Sequence, residues 1–166
     1  MSASSPAEAG AAAVRDLLDR MVAALDLEAS VEVREGPEEV VGVLHGEDLG
    51  LFIGRHGQTI DAVQHLAHRL VMKAGATDVR VVIDAEGYRE RRRVALERQA
   101  DRAAHDALRA AQPVALDAMT AGERKLVHEY LRDRPDIETY SEGDEPDRHL
   151  VIAPAGPGPG PGAGSV

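Results

Sequence analysis

"LFIGRHGQTI", residues 51–60, is the stretch on which the reading of this chain turns. An apolar run breaks at Gly54-Arg55-His56-Gly57, and helical spacing then resumes at Ile60, Val63, Leu66, Ala67, Leu70 and Val71. A glycine inside a helix costs about 1 kcal/mol relative to Ala, so the pair marks a turn between two helices. Without Cβ atoms, such a turn lets another backbone approach closely. Its amides lie near the start of the second helix, where the dipole favours an anion. Arg55 adds a permanent positive charge and His56 a conditional one. Two readings are open: a tight helix–helix turn with no ligand, or a four-residue clamp for phosphate.

The surrounding pattern is regular. Val14, Leu17, Leu18, Met21, Val22 and Leu25 fall on one face of an amphipathic helix. "VEVRE" (31–35) alternates as a half-buried strand, Gly36-Pro37 turns it, and "VVGVLHG" (40–46) reads as a second strand. A short helix from Asp48 to Ile53 precedes the glycine pair and a longer one, 57–74, follows it. "VRVVID" (79–84) is a third strand. The order helix, strand, strand, helix, helix, strand describes a small α+β domain, assigned to residues 10–84 behind a disordered lead at 1–9.

A second unit, 85–153, follows the same logic. Asp84 is placed to cap a helix running to about Ala111, with Leu96, Ala100, Ala103, Ala107 and Ala111 on a narrow face. Pro113 breaks it, and "PVAL" (113–116) is a short strand. Thr120 and Glu123 form a candidate capping box. Their helix carries Leu126, Val127, Tyr130 and Leu131 as its apolar face and stops at Pro135. "IETYSEG" (137–143) and "RHLVIA" (148–153) read as two strands across an acidic turn. Residues 154–166 hold four Pro and five Gly, a composition expected to be disordered. The whole chain is thus α+β, two small mixed domains in series.

Composition narrows the function. Aromatics are 2% of the 166 residues, so a sheet that stacks bases on several rings is disfavoured. There is no cysteine, which excludes disulfides and thiolate zinc sites and points to a reducing compartment. The N-terminus lacks the basic start of a signal peptide, and no apolar run approaches the roughly 20 residues of a membrane span, so a cytoplasmic location is expected. Net charge is −10, but it is patchy: residues 1–50 sum to −8, 51–109 to +3 and 110–166 to −5. Such a field steers a polyanion to one region and repels it elsewhere.

With its glycine turn set in that element order, residues 10–84 resemble a KH domain of the type with its extra helix and strand at the N-terminus (type II). In that family the G-x-x-G loop grips the backbone of single-stranded nucleic acid. The resemblance implies Gly54, Arg55, His56 and Gly57 as the clamp. Ile53, Ile60 and Val63 are candidates for the adjoining groove or for the core beneath it, with core favoured by their helical stripe. "MTAGERKLVHEYL" places Arg124 and His128 at i, i+4 on one helix face. This stretch and "SEGDEPDRHLVI" resemble the small single-strand-binding module named for an Arg and a His with three residues between, the Arg-x-x-x-His domain. The tandem, with "VVIDAEGYRERRR", resembles the Jag (KhpB) family over roughly residues 12–153.

That resemblance implies a non-enzymatic binder of single-stranded RNA without cofactor or metal. It also implies a small KH-only protein partner (KhpA-like) or self-association, and a link to cell envelope, growth or division. Longer members carry an N-terminal domain for which this chain is expected to have no room. Gly54, Arg55, His56, Gly57, Arg124 and His128 are the implied contacts; Ile53, Gln58, Ile60, Arg89 and Arg92 are further candidates. "YRERRR" (88–93) reads either as an extended phosphate track or, because Glu86, Glu90 and Glu97 interleave, as a salt-bridged solvated helix. Two other classes stay in view. His65 and His68 at i, i+3 could pair on a metal in a hydrolase, though no motif completes the site. The acidic N-terminal helix could serve a pure protein adapter.

Overall fold

The computed structural model describes residues 5–156. Contacts divide the chain into two compact units, with the break between Glu90 and Arg91. Tyr88 and Arg89, just past the expected boundary at Asp84, pack onto the first unit.

In the first unit, α1 (Pro6–Ala24) starts within the expected disordered lead. Ser5 accepts from the Glu8 amide, Glu8 accepts from the Ser5 amide, and Pro6 occupies the first helical turn. This capping box satisfies amides that would otherwise fray into water. Strands β1 (Ala29–Glu35), β2 (Glu39–Gly46) and β3 (Arg80–Ala85) form a sheet in that order. β1 and β2 run antiparallel; β2 and β3 run parallel, joined through α2 (Gly50–Ile53), a single 3₁₀ turn at Arg55–Gly57, and α3 (Gln58–Lys73). Val14 and Leu18 of α1, Leu44 of β2, Phe52 of α2, Ile60 and Val71 of α3, and Ile83 of β3 have no exposed surface. The core is aliphatic except for that one ring.

Helix α4 (Tyr88–Ala110) contributes its remaining turns to the second unit. Asp84 is still in strand rather than at the helix boundary, yet its carboxylate accepts from the Arg89 amide at 3.2 Å and so caps the first turn from a distance. Leu96, Ala100, Ala103, Ala104 and Ala107 are buried; Ala111 lies past the helix end at φ +52° and is exposed. β4 (Val114–Ala118), β6 (His149–Pro154) and β5 (Ile137–Glu142) form an antiparallel sheet in the order β4-β6-β5. α5 (Ala121–Leu131) carries the predicted Thr120–Glu123 capping box. Its buried stripe is Arg124, Val127 and Leu131, whereas Tyr130 is exposed and donates to Asp101 at 3.0 Å. Pro154, expected to open a disordered tail, ends β6, and the Ala155 amide still donates to the Asp136 carbonyl. The rest of that tail from residue 157, like residues 1–4 of the expected lead, lies outside the described residues.

Candidate functional site

The chain presents two candidate surfaces, one on each unit. On the first, the short α2 delivers the chain into Gly54, whose backbone sits at φ +73°, ψ 174°. That region is essentially reserved for glycine. A Cβ there would lie 2.1 Å from Thr59 Oγ1. Gly57 is left-handed at φ +77°, and its Cβ would lie 3.0 Å from both Cε1 and the hydroxyl oxygen of Tyr88. Gly54 is therefore required by its neighbours within the chain, and at Gly57 a side chain would meet a left-handed backbone and a tight contact with Tyr88. His56, between them, is also left-handed at φ +54°.

This geometry leaves Arg55 exposed to solvent, His56 half-buried and Gly57 buried. Three amides of the loop are already engaged within the chain. Gly54 N–H donates to the Gly50 carbonyl at 2.8 Å, Gly57 N–H to the Gly54 carbonyl at 3.2 Å, and Gln58 N–H to the Arg55 carbonyl. Arg55 carries the loop's permanent positive charge, with exposed Gln58 beside it on the first turn of α3. Ile60 has no accessible surface, so it supports the loop from the core instead of meeting a ligand. Val63 is likewise buried, and Ile53 packs half-buried against the same core.

Arg89 and Arg92 are held by partners within the chain. Arg89 donates through Nε to the Ile83 carbonyl at 2.8 Å, through Nη1 to Asp61 Oδ1 at 2.8 Å and through Nη2 to Gln64 Oε1 at 3.1 Å. Arg92 Nε donates to Glu123 Oε1 at 2.6 Å, and Arg93 pairs with Glu97. Carboxylates neutralise these cations; Arg93–Glu97 is a pair within the helix, whereas Asp61 and Glu123 come from other elements, not from the interleaved glutamates.

On the second unit, an open groove runs between α5 and β5. Arg124, Lys125 and His128 line one side, Thr139, Tyr140 and Ser141 the other, and Arg148 and Leu150 close it. Arg124 and His128 do share this groove, but unequally. Arg124 is 9% exposed; its Nη1 donates to the Met119 carbonyl at 2.7 Å and its Nη2 to Glu145 Oε1 at 2.8 Å. The first bond fixes the strand-to-helix connection. The second places an exposed carboxylate against the fork where a phosphate oxygen would make the same charge-assisted bond. His128 is exposed, with Nδ1 2.5 Å from Thr139 Oγ1, which orients the ring across the groove. Lys125 and Arg148 were not singled out from the sequence. Lys125 sits inside the same "ERKLVH" stretch, and Arg148 is brought in only by the β5–β6 return.

His65 is exposed and His68 half-buried on α3. Among the described residues, no group of three or more His, Cys, Asp or Glu side chains could hold a metal ion, and no helix is long and apolar enough to cross a membrane.

Comparison with known proteins divides the chain the same way. Residues 11–83 match the KhpA/KhpB KH-domain model, and residues 94–154 match the model of the Arg-x-x-x-His (R-3-H) domain. Among curated proteins, the chain is 37% identical over 140 residues to the RNA-binding protein KhpB of Clostridium symbiosum, covering 84% of this chain and 62% of that protein. It is 38% identical over 144 residues to the protein of that name from Lactiplantibacillus plantarum, covering 85% and 45%. The Bacillus subtilis protein of that name is 32% identical over 138 residues, covering 82% and 66%. The chain thus spans between about half and two thirds of the length of these relatives. A KhpA/KhpB-type KH domain followed by an Arg-x-x-x-His domain, shared with proteins of several genera, makes the chain a member of the KhpB family.

Proposed function

We propose that this chain is a non-enzymatic binder of single-stranded RNA, with one contact surface on each module. The observation that carries the reading is the loop: between two positive-φ glycines, Arg55 stands exposed at the head of α3. Gly54, Arg55, His56 and Gly57, with Gln58, form the first contact. Arg124 and His128, with Lys125 and Arg148, form the second, phosphate displacing the Glu145 carboxylate from Arg124. The relatives' name as RNA-binding proteins supports the same assignment. Each surface is small, so the linked pair binds far better than either alone. The acidic remainder of the chain suppresses nonspecific binding. The protein works in the cytoplasm, beside a small KH-only partner or a second copy, in post-transcriptional control tied to the cell envelope, growth or division.

Equilibrium titration of single-stranded RNA into the intact chain at several salt concentrations tests this reading. Binding should be modest and weaken steadily as salt rises, since each phosphate contact contributes about −0.7 to the slope of log K against log salt. Negligible binding even at low salt would contradict it and favour the adapter class.

A further inference from the structure

We infer that Tyr88 and Arg89 form a brace that holds the Gly54–Gly57 loop in its binding shape. They are positioning residues for the RNA contact, and the inference rests on the proposed function above. Three backbones in this short loop lie at positive φ, His56 among them without glycine's freedom. Such a shape persists only where its surroundings over-determine it. Tyr88 supplies one boundary: its ring lies so close to Gly57 that a Cβ there would be 3.0 Å away. The ring packs half-buried against the first unit's core. Arg89 supplies the other. Its guanidinium ties Asp61 and Gln64, on the first two turns of α3, to the Ile83 carbonyl at the end of β3. Gln64 Oε1 also accepts from the Ile83 amide at 3.1 Å, which closes the network. Two adjacent residues thus fix both the loop and the helix that leaves it.

Charge separates a brace from a contact. Arg89 is neutralised by Asp61 and directs its donors to protein acceptors. A brace therefore changes affinity without changing the number of phosphates held.

The test uses the intact chain and a fluorescein-labelled oligouridylate, with affinity measured across a salt series. Tyr88→Ala and Arg89→Ala should each weaken binding roughly tenfold, the loss expected from an unorganised site, with the salt slope unchanged. Tyr88→Phe should bind within about twofold of the parent, since the ring rather than the hydroxyl is the boundary. Arg55→Ala, by contrast, should lower the slope by about 0.7. Asp61→Ala, an exposed change that removes the acceptor altogether and is expected to fold normally, gives an opposite-sign control. Removing a negative charge alone would tighten RNA binding, whereas loss of the brace weakens it. A reduced slope in Arg89→Ala would make Arg89 a direct contact and overturn the brace. Unchanged affinity in both Tyr88→Ala and Arg89→Ala, or tighter binding by Asp61→Ala, would also overturn it while leaving the RNA reading intact. Absence of binding by the parent chain would remove both.

Discussion

At residue scale the loop separates what the fold needs from what a ligand needs. His56 carries a left-handed backbone that glycine adopts freely, while its imidazole stands between the two glycines. His56→Gly should therefore leave thermal stability unchanged or raise it by up to about 1 kcal/mol, because the strained backbone is relieved, yet weaken RNA binding. Parallel melting and binding curves would check it; a loss of stability with full affinity would reverse the assignment. Arg124 invites a complementary change. Glu145, 60% exposed in its side chain, competes with phosphate for Nη2. Glu145→Gln should tighten RNA binding severalfold, because the neutral amide still accepts from Nη2 but no longer sets a negative charge against the fork where phosphate would bind. Equal affinity in the two proteins would mean that Arg124 never leaves its internal partners.

His45 carries a pH dependence that has nothing to do with RNA. Its Nε2 lies 3.0 Å from Glu32 and its Nδ1 3.4 Å from Glu86. The hydrogen bond to Glu32, aided by Glu86, raises its pKa above the ordinary 6.5. A raised folded-state pKa means the stabilisation is full below the unfolded value and fades as pH climbs through the raised one. Melting temperature should fall over that window in the parent and change less in His45→Gln.

At the scale of elements, periodicity made most of the fold legible. The aliphatic stripes of α1 and α3, the alternating strands, and the Thr120–Glu123 box all specify their structures locally. α5 shows where that legibility ended. Hydropathy assigns its buried face to Leu126, Val127, Tyr130 and Leu131, but Arg124 takes a place on the real one. An arginine enters a buried stripe when a carbonyl and a carboxylate await it, and neither Met119 nor Glu145 announces that role in sequence. Tyr88 is a similar case: its closeness to Gly57 joins residues far apart along the chain and obeys no local period. The cap of α5 offers a direct check: Thr120→Ala should destabilise the second unit by about 1 kcal/mol in urea unfolding, because the reciprocal cap of the first turn is lost. No measurable change would mean that tertiary packing alone holds this helix turn.

At the scale of the whole molecule, two weak surfaces sit on one acidic chain. Net charge of −10 opposes casual contact with RNA, so on the proposed reading retention depends on specific cations at Arg55 and in the α5–β5 groove. Linkage of the modules converts a second weak contact into an intramolecular one. This places affinity within reach of single charge reversals. The central claim is that the glycine-bounded loop draws the RNA backbone. Its most direct test is Arg55→Asp with His56→Asp in the intact chain, which keeps both glycines and reverses the charge between them. The account predicts a fold that melts as the parent does and RNA binding reduced at least roughly tenfold, with the opposition strongest at low salt. Undiminished binding by that protein would contradict it.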